Sequence, residues 1–385
     1  MPANRIILNE TSYFGTGARH ELATEIKQRR FKKAFVVTDK DLVKHNVAGM
    51  VLAVLNAASI SYEIYDSVKP NPTVKNVQDG VAAFKAAEAD CLVALGGGSS
   101  IDTAKGIGII VANPEFADVK SLEGTASTKN KSVPIFALPT TAGTAAEVTI
   151  NYVITDEDAV KKMVCVDPHD IPVVAIIDAE LMASMPKGLT AATGMDALTH
   201  AIEGYITKGA WDMSDMFELY AIELIAKYLR LAVQEPGNME AREKMALGQY
   251  IAGMGFSNVG LGIVHSMAHP LGATYDTPHG VANALLLPII MQYNAPAAGK
   301  KYGDIAKAMG VCTSGMDENQ AAQAAVDAVK KLAQDVGIPQ KLREIGVKKA
   351  DLEKLANDAF NDVCTGGNPR DTSVAEILAL YKEAY

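Results

Sequence analysis

Near residue 185 the hydrophobic pattern of this chain changes period, and that change limits its fold more than any other feature. Up to about residue 180, short β-branched runs alternate with amphipathic segments. Ala34–Thr38, Ser61–Tyr65, Cys91–Leu95, Pro134–Leu138 and Pro172–Ile177 read as strands, with helical periods such as Val74–Glu88 between them. Strands that are apolar almost throughout, separated by helices, predict a parallel sheet covered on both faces. After Pro186 the β-branched runs stop, and Ala, Leu, Met, Glu and Lys recur at three- and four-residue intervals. We therefore expect an α/β, Rossmann-like dinucleotide-binding domain over residues 1–185 and an all-helical domain over 186–385. Two alternating runs, Asn151–Thr155 and Lys161–Val166, flank the acidic Asp156-Glu157-Asp158 and predict an added hairpin. Ser373 with Glu376 predicts a capping box opening the last helix, and Arg5–Leu8 is strand-like.

The 385 residues suffice for two separate cores. No apolar run approaches the roughly 20 residues of a membrane span. A net charge of −9 argues against nucleic acid as the main partner, because phosphate neutralisation needs clustered Lys and Arg. The basic run Lys27–Lys33 reads instead as a helix end favoured by the macrodipole. The amino terminus lacks the basic start and apolar core of a secretory signal, so a cytoplasmic location is expected. Cys91, Cys165, Cys312 and Cys364 form no C-x-x-C pair and read as reduced thiols.

Four of the seven histidines fall between residues 200 and 279, beside small or apolar neighbours. Asp196 and His200 are four apart, on one face of a helix, where they can grip one ion. His265 and His279 are fourteen apart, so a bend near Gly272 or Pro278 must bring them together. One carboxylate and three imidazoles suit a divalent transition metal. Singly, each residue reads rather as a hydrogen-bonded core or surface side chain; the set together reads as a metal site.

Gly96-Gly97-Gly98-Ser99 follows the third strand and opens a helical period. Backbone N–H groups without a Cβ in the way, at a helix N-terminus, suit a pyrophosphate. This is not the G-x-G-x-x-G fingerprint, and side-chain capping by Ser99 or Asp102 is the alternative. Thr140, Thr141 and Thr144 follow the fourth strand in a second small-residue loop, at the strand ends where open α/β sheets bind ligands. Asp39 ends the first strand, where it can accept from ribose hydroxyls and favour NAD over NADP; capping the next helix is its alternative.

These motifs, with Pro70-Asn71-Pro72-Thr73, Gly194-Met195-Asp196-Ala197-Leu198-Thr199-His200 and His265-Ser266-Met267-Ala268-His269-Pro270, resemble the iron-containing (group III) alcohol dehydrogenases over essentially the whole chain. The resemblance implies the architecture shared with dehydroquinate synthase, a homodimer, NAD, and Fe²⁺ held by Asp196, His200, His265 and His279, with Zn²⁺ as the competing ion. It implies a cofactor-binding set of Asp39, Asn71, Gly97, Gly98, Ser99, Thr140, Thr141, Thr144, Asn151, Val153 and Lys162. His269 becomes a proton relay or cofactor contact, its alternative being a helix cap before Pro270. Asn151, Phe256 and Cys364 would line a pocket for a small aldehyde or alcohol, although by its spacing alone Phe256 reads as core and Cys364 reads equally as a buried thiol. Ser100 departs from the family pattern, which carries Pro there, at a position where either residue starts a helix. Stretches outside the shared motifs, such as Asn113–Val119 and Cys165–Pro172, resemble the branch acting on lactaldehyde and 1,2-propanediol. Rivals are a broader primary-alcohol or 1,3-propanediol dehydrogenase, a sugar-phosphate cyclising lyase, for which the basic anion pocket is missing, and a non-catalytic binder.

Overall fold

The apolar β-branched runs of the first half pair into one sheet, and the computed structural model describes residues 3–385. The first two residues of the expected 1–185 domain lie outside the described residues. The chain up to Thr141, with Ala145–Ser184, forms one compact unit; Ala142–Thr144 with Met185–Tyr385 forms another.

In the first unit the chain runs β1 (Thr11–Phe14), α1 (Glu21–Gln28), β2 (Lys33–Val37), α2 (Lys40–Lys44), α3 (Val47–Ala57), β3 (Ser61–Tyr65), α4 (Val74–Ala87), β4 (Cys91–Gly96), α5 (Gly98–Ala112), β5 (Ile135–Pro139), β6 (Asn151–Asp156), β7 (Lys161–Val166) and β8 (Val174–Ile177). Six strands form a parallel sheet in the order β1-β8-β5-β4-β2-β3. Side chains alternate across it. Phe35, Val37, Leu92 and Ala94 pack under α4 and α5, while Ala34, Val36, Cys91 and Val93 pack under α1 and α3. Every residue of β4 is buried, which explains its unbroken apolar run. The acidic turn closes β6 and β7 into an antiparallel hairpin, with Asn151 opposite Val166.

Within the single chain Arg5–Leu8 pairs with no strand, and the edge strand begins at Thr11. The aliphatic run has the propensity, but pairing starts after Asn9. The Asn9 amide donates to the carbonyls of Glu147 and Pro172, both at 2.7 Å, and sets the register against β8.

The second unit contains α6 (Lys187–Ile206), α7 (Asp212–Gln234), α8 (Met239–Val259), α9 (Ile263–Tyr275), α10 (His279–Ala298), α11 (Lys300–Ala308), α12 (Glu318–Asp335), α13 (Leu352–Phe360) and α14 (Val374–Ala384). Among the described residues no strand follows Ile177. Almost all of α6 beyond Thr190 is buried, packed by α7, α8 and α10. The chain reverses between α9 and α10 at Asp276, with φ of 52°, and Pro278; Gly272 stays inside α9. Ser373 does cap α14 by accepting from the Glu376 N–H, but the Glu376 carboxylate takes the Ser373 hydroxyl rather than its backbone N–H. The cap is therefore not the reciprocal box.

Candidate metal centre and cofactor loop

Asp196 and His200 occupy successive turns of α6, His265 opens α9, and His279 opens α10. One donor atom from each lies within 4.8 Å of all the others. Asp196, His200 and His265 are buried and His279 is partly exposed. Nε2 of His265 faces Nε2 of His200 at 2.9 Å, and Nε2 of His279 lies 3.7 Å from Asp196 Oδ1. Burial pushes the His265 imidazole well below its ordinary range and lowers His200, so both rings stay neutral, the form that binds metal. A carboxylate and three imidazoles are a donor set that fits a divalent first-row ion.

Three side chains without an assigned role in the sequence reading enter here, two of them holding this set and the third holding His269. Glu203 accepts from the Val264 N–H at 2.7 Å and from His265 Nδ1 at 2.5 Å, which leaves Nε2 as the lone-pair nitrogen. Burial pushes the Glu203 carboxyl up to about 8 against the pull of backbone N–H groups. The Asn283 amide nitrogen donates to Asp196 Oδ1 at 2.7 Å and lies 3.1 Å from Nε2 of both His265 and His279. Asp362 Oδ2 accepts from Nδ1 of His269 at 2.7 Å. Glu203 and Asn283 were detectable, standing three and four residues after His200 and His279 on the same helices. Asp362 had no such signal, being 93 residues from His269.

His269 lies one turn after His265, its ring stacked on His279 with centroids 5.6 Å apart. Burial would raise the Asp362 carboxyl, but His269 and the Cys364 N–H hold it below the usual carboxylate value. Cys364 is half-buried at the end of this network, and burial pushes its thiol well above the ordinary range. Phe256 is buried and stacks on His200 with ring centroids 4.2 Å apart, so it braces a candidate ligand.

In the first unit, α5 starts at Gly98 with Gly97 as its cap and no capping side-chain hydrogen bond, contrary to the Ser99 or Asp102 alternative. Gly96 has φ of 153°, and a Cβ there would meet Ser100 Oγ at 2.4 Å. Thr140 donates its N–H to the Gly96 carbonyl, and a Cβ on Gly97 would lie 3.1 Å from Thr141 Oγ1. Thr144 groups with the second unit, where neighbouring Gly143 approaches the Thr193 backbone. Asp39 accepts from the Leu42 N–H at 2.9 Å and so does cap α2. Lys162 donates to Asn71 Oδ1 at 2.7 Å, bringing two expected cofactor contacts together. Asn151 and Val153 lie on the less buried side of β6, with the Val153 N–H donated to Asp102 at 3.0 Å.

Two family models cover the chain: iron-containing alcohol dehydrogenase over residues 9–179, and the C-terminal region of the Fe-containing alcohol dehydrogenase family over 190–385. The chain is 59% identical to lactaldehyde reductase of Escherichia coli (strain K12), covering 100% of both. It is 43% identical to 1,3-propanediol dehydrogenase of Klebsiella pneumoniae, covering 98% of each. A crystal structure of 1,3-propanediol oxidoreductase superposes with a TM-score of 0.97 at 42% identity, covering 100% of both chains. A parallel sheet unit, a helical unit carrying the histidine cluster, and family models matching both halves lead to one conclusion: this protein is an oxidoreductase belonging to the iron-containing alcohol dehydrogenases.

Proposed function

We propose that this protein interconverts lactaldehyde and 1,2-propanediol with NADH and NAD, using iron held by Asp196, His200, His265 and His279. The observation that carries the reading is the convergence of those four donors, in a chain 59% identical over its full length to a lactaldehyde reductase. An ion held by these four residues would supply Lewis acidity, and bound NAD would supply hydride exchange.

The chain's own groups do the rest. Asn283 and Glu203 orient the donor set from behind. Asp362 takes the Nδ1 proton of His269 in its hydrogen bond, fixing the tautomer whose Nε2 can pass a proton to or from the substrate oxygen or the cofactor ribose. Backbone N–H groups of Gly97, Gly98 and Ser99 receive the pyrophosphate, with Thr140, Thr141 and Thr144 beside it. Asp39, Asn71 and Lys162 take the ribose end, and Asn151 and Val153 the nicotinamide. Phe256 and Cys364 are the substrate contacts of the helical unit. We take the enzyme to be a cytoplasmic homodimer, which rests on the family resemblance and on the absence, among the described residues, of any helix long and apolar enough to cross a membrane.

The test begins with anaerobically purified protein, its metal content, and NADH oxidation with L-lactaldehyde, propanal, butanal and glycolaldehyde. Activity restored by Fe²⁺ but not Zn²⁺, with the highest kcat/KM for lactaldehyde, is expected. Full activity with zinc alone refutes iron, and a preference for 3-hydroxypropanal favours the 1,3-propanediol reading suggested by the 43% identical relative. Asp362→Asn and His269→Ala should both retain the ion and lower kcat; loss of metal from His269→Ala would make it a ligand instead.

A further inference from the structure

Lys105 sits two turns into α5 with none of its side chain exposed. An ammonium is kept in such a place only where its charge and its three N–H groups are matched. The match lies at the start of β6. Lys105 Nζ donates to the Thr149 carbonyl at 2.6 Å, the Thr149 hydroxyl at 3.0 Å and the Asn151 carbonyl at 2.7 Å. Three polar partners match the three N–H groups of an ammonium, while burial lowers the hold of this amine on its proton. Asp170, with an oxygen 3.9 Å away, supplies counter-charge together with Asp102 and Glu147.

One turn nearer the glycine loop, Asp102 Oδ2 accepts from the Val153 N–H at 3.0 Å. Residues three apart share a helix face, so Asp102 and Lys105 reach the same strand. Between them they hold the backbone at residues 149, 151 and 153, while the first turn of their helix is the loop Gly97–Ser99. A core position on α5 would be filled at lower cost by Leu or Met, as Ile101 and Ile107 fill theirs.

We propose that Asp102 and Lys105 are positioning residues that clamp β6 to the phosphate-loop helix. One rigid piece then sets both ends of the cofactor site: the pyrophosphate at Gly97–Ser99, and the nicotinamide and substrate at Asn151 and Val153. The proposal rests on the cofactor contacts given under Proposed function.

The experiment compares binding of NADH with binding of ADP, which has the pyrophosphate and adenosine but no nicotinamide, in the full-length metal-loaded protein. Lys105→Met keeps the chain length and removes the donors. Its NADH Kd should weaken roughly tenfold, the size of one lost charged hydrogen bond, while its ADP Kd stays within about twofold. Amide hydrogen exchange over 149–153 should speed up. Asp102→Ala should show the same split, and Asp102→Asn, which keeps an acceptor for Val153, should recover most of it. If Lys105→Met fails to fold, the Asp102 pair decides. Parallel weakening of NADH and ADP, or NADH binding within twofold of wild type, overturns the clamp. Failure of the wild-type protein to bind NADH would instead overturn the cofactor reading.

Discussion

Two carboxyl groups, the buried Glu203 and the partly buried Asp362, each accept a hydrogen bond from Nδ1 of a histidine on α9, yet they serve different rings. At His265 the consequence is a lone pair on Nε2 facing His200; at His269 it is a nitrogen outside the four-donor set. Such outer partners change metal affinity by about 10–100-fold. Glu203→Ala should therefore weaken Fe²⁺ and Zn²⁺ binding by that order, read by competition with a coloured chelator, and Glu203→Gln, which keeps an acceptor, should lose less. Unchanged affinity in Glu203→Ala would show that His265 needs no support. The residue types of the cluster were legible because the i, i+4 spacing of Asp196 and His200 is a helical signal. Asp362 was not, since a hydrogen bond across 93 residues leaves no period in the chain.

Helix α10 meets α6 with backbone against backbone. A Cβ on Gly280 would lie 2.4 Å from the Ala192 carbonyl oxygen and 3.3 Å from Asp196 Cβ, beside His279 in the same helical turn. Backbone cannot rotate aside, so Gly280→Ala must part the two helices and draw His279 from Asp196. Overpacking of this kind costs about 1–3 kcal/mol. We expect Gly280→Ala to lower the urea midpoint and to weaken metal binding together; loss of stability with full metal affinity would show that helix spacing does not set the site. The helices themselves were readable from three- and four-residue periods, and the five expected sheet strands each lie within a residue or two of their observed bounds. The edge strand β1 was not read from the sequence, because its register comes from Asn9 anchoring to two distant carbonyls, not from β-propensity. The α9–α10 reversal was narrowed to two places, and local backbone at Asp276 decided between them.

At the scale of the whole molecule, one buried acid links stability to pH. Glu218 on α7 has no exposed surface, and its Oε1 occupies the space a Cβ would need at both Gly204 and Gly255. Burial, helped by nearby Asp215, pushes this carboxyl well above its ordinary 4.5. Its raised folded value makes its stability contribution complete below about pH 4.5 and lost progressively as pH rises, because the unfolded chain releases the proton first. The slope is about 1.4 kcal/mol per pH unit while the folded carboxyl stays protonated. Glu218→Gln should flatten the fall of thermal stability between pH 5 and 8, and an unchanged slope would show that Glu218 is ionised in the fold. By itself the sequence determined the fold class and the chemistry of the donors, because period two, period 3.6 and ligand type are local properties. Tertiary structure alone decided which carboxyl holds which imidazole, where the sheet edge begins, and which strand Lys105 grips. Those depend on the packing of residues far apart in the chain, where burial makes an unmatched polar group costly and so selects its partner.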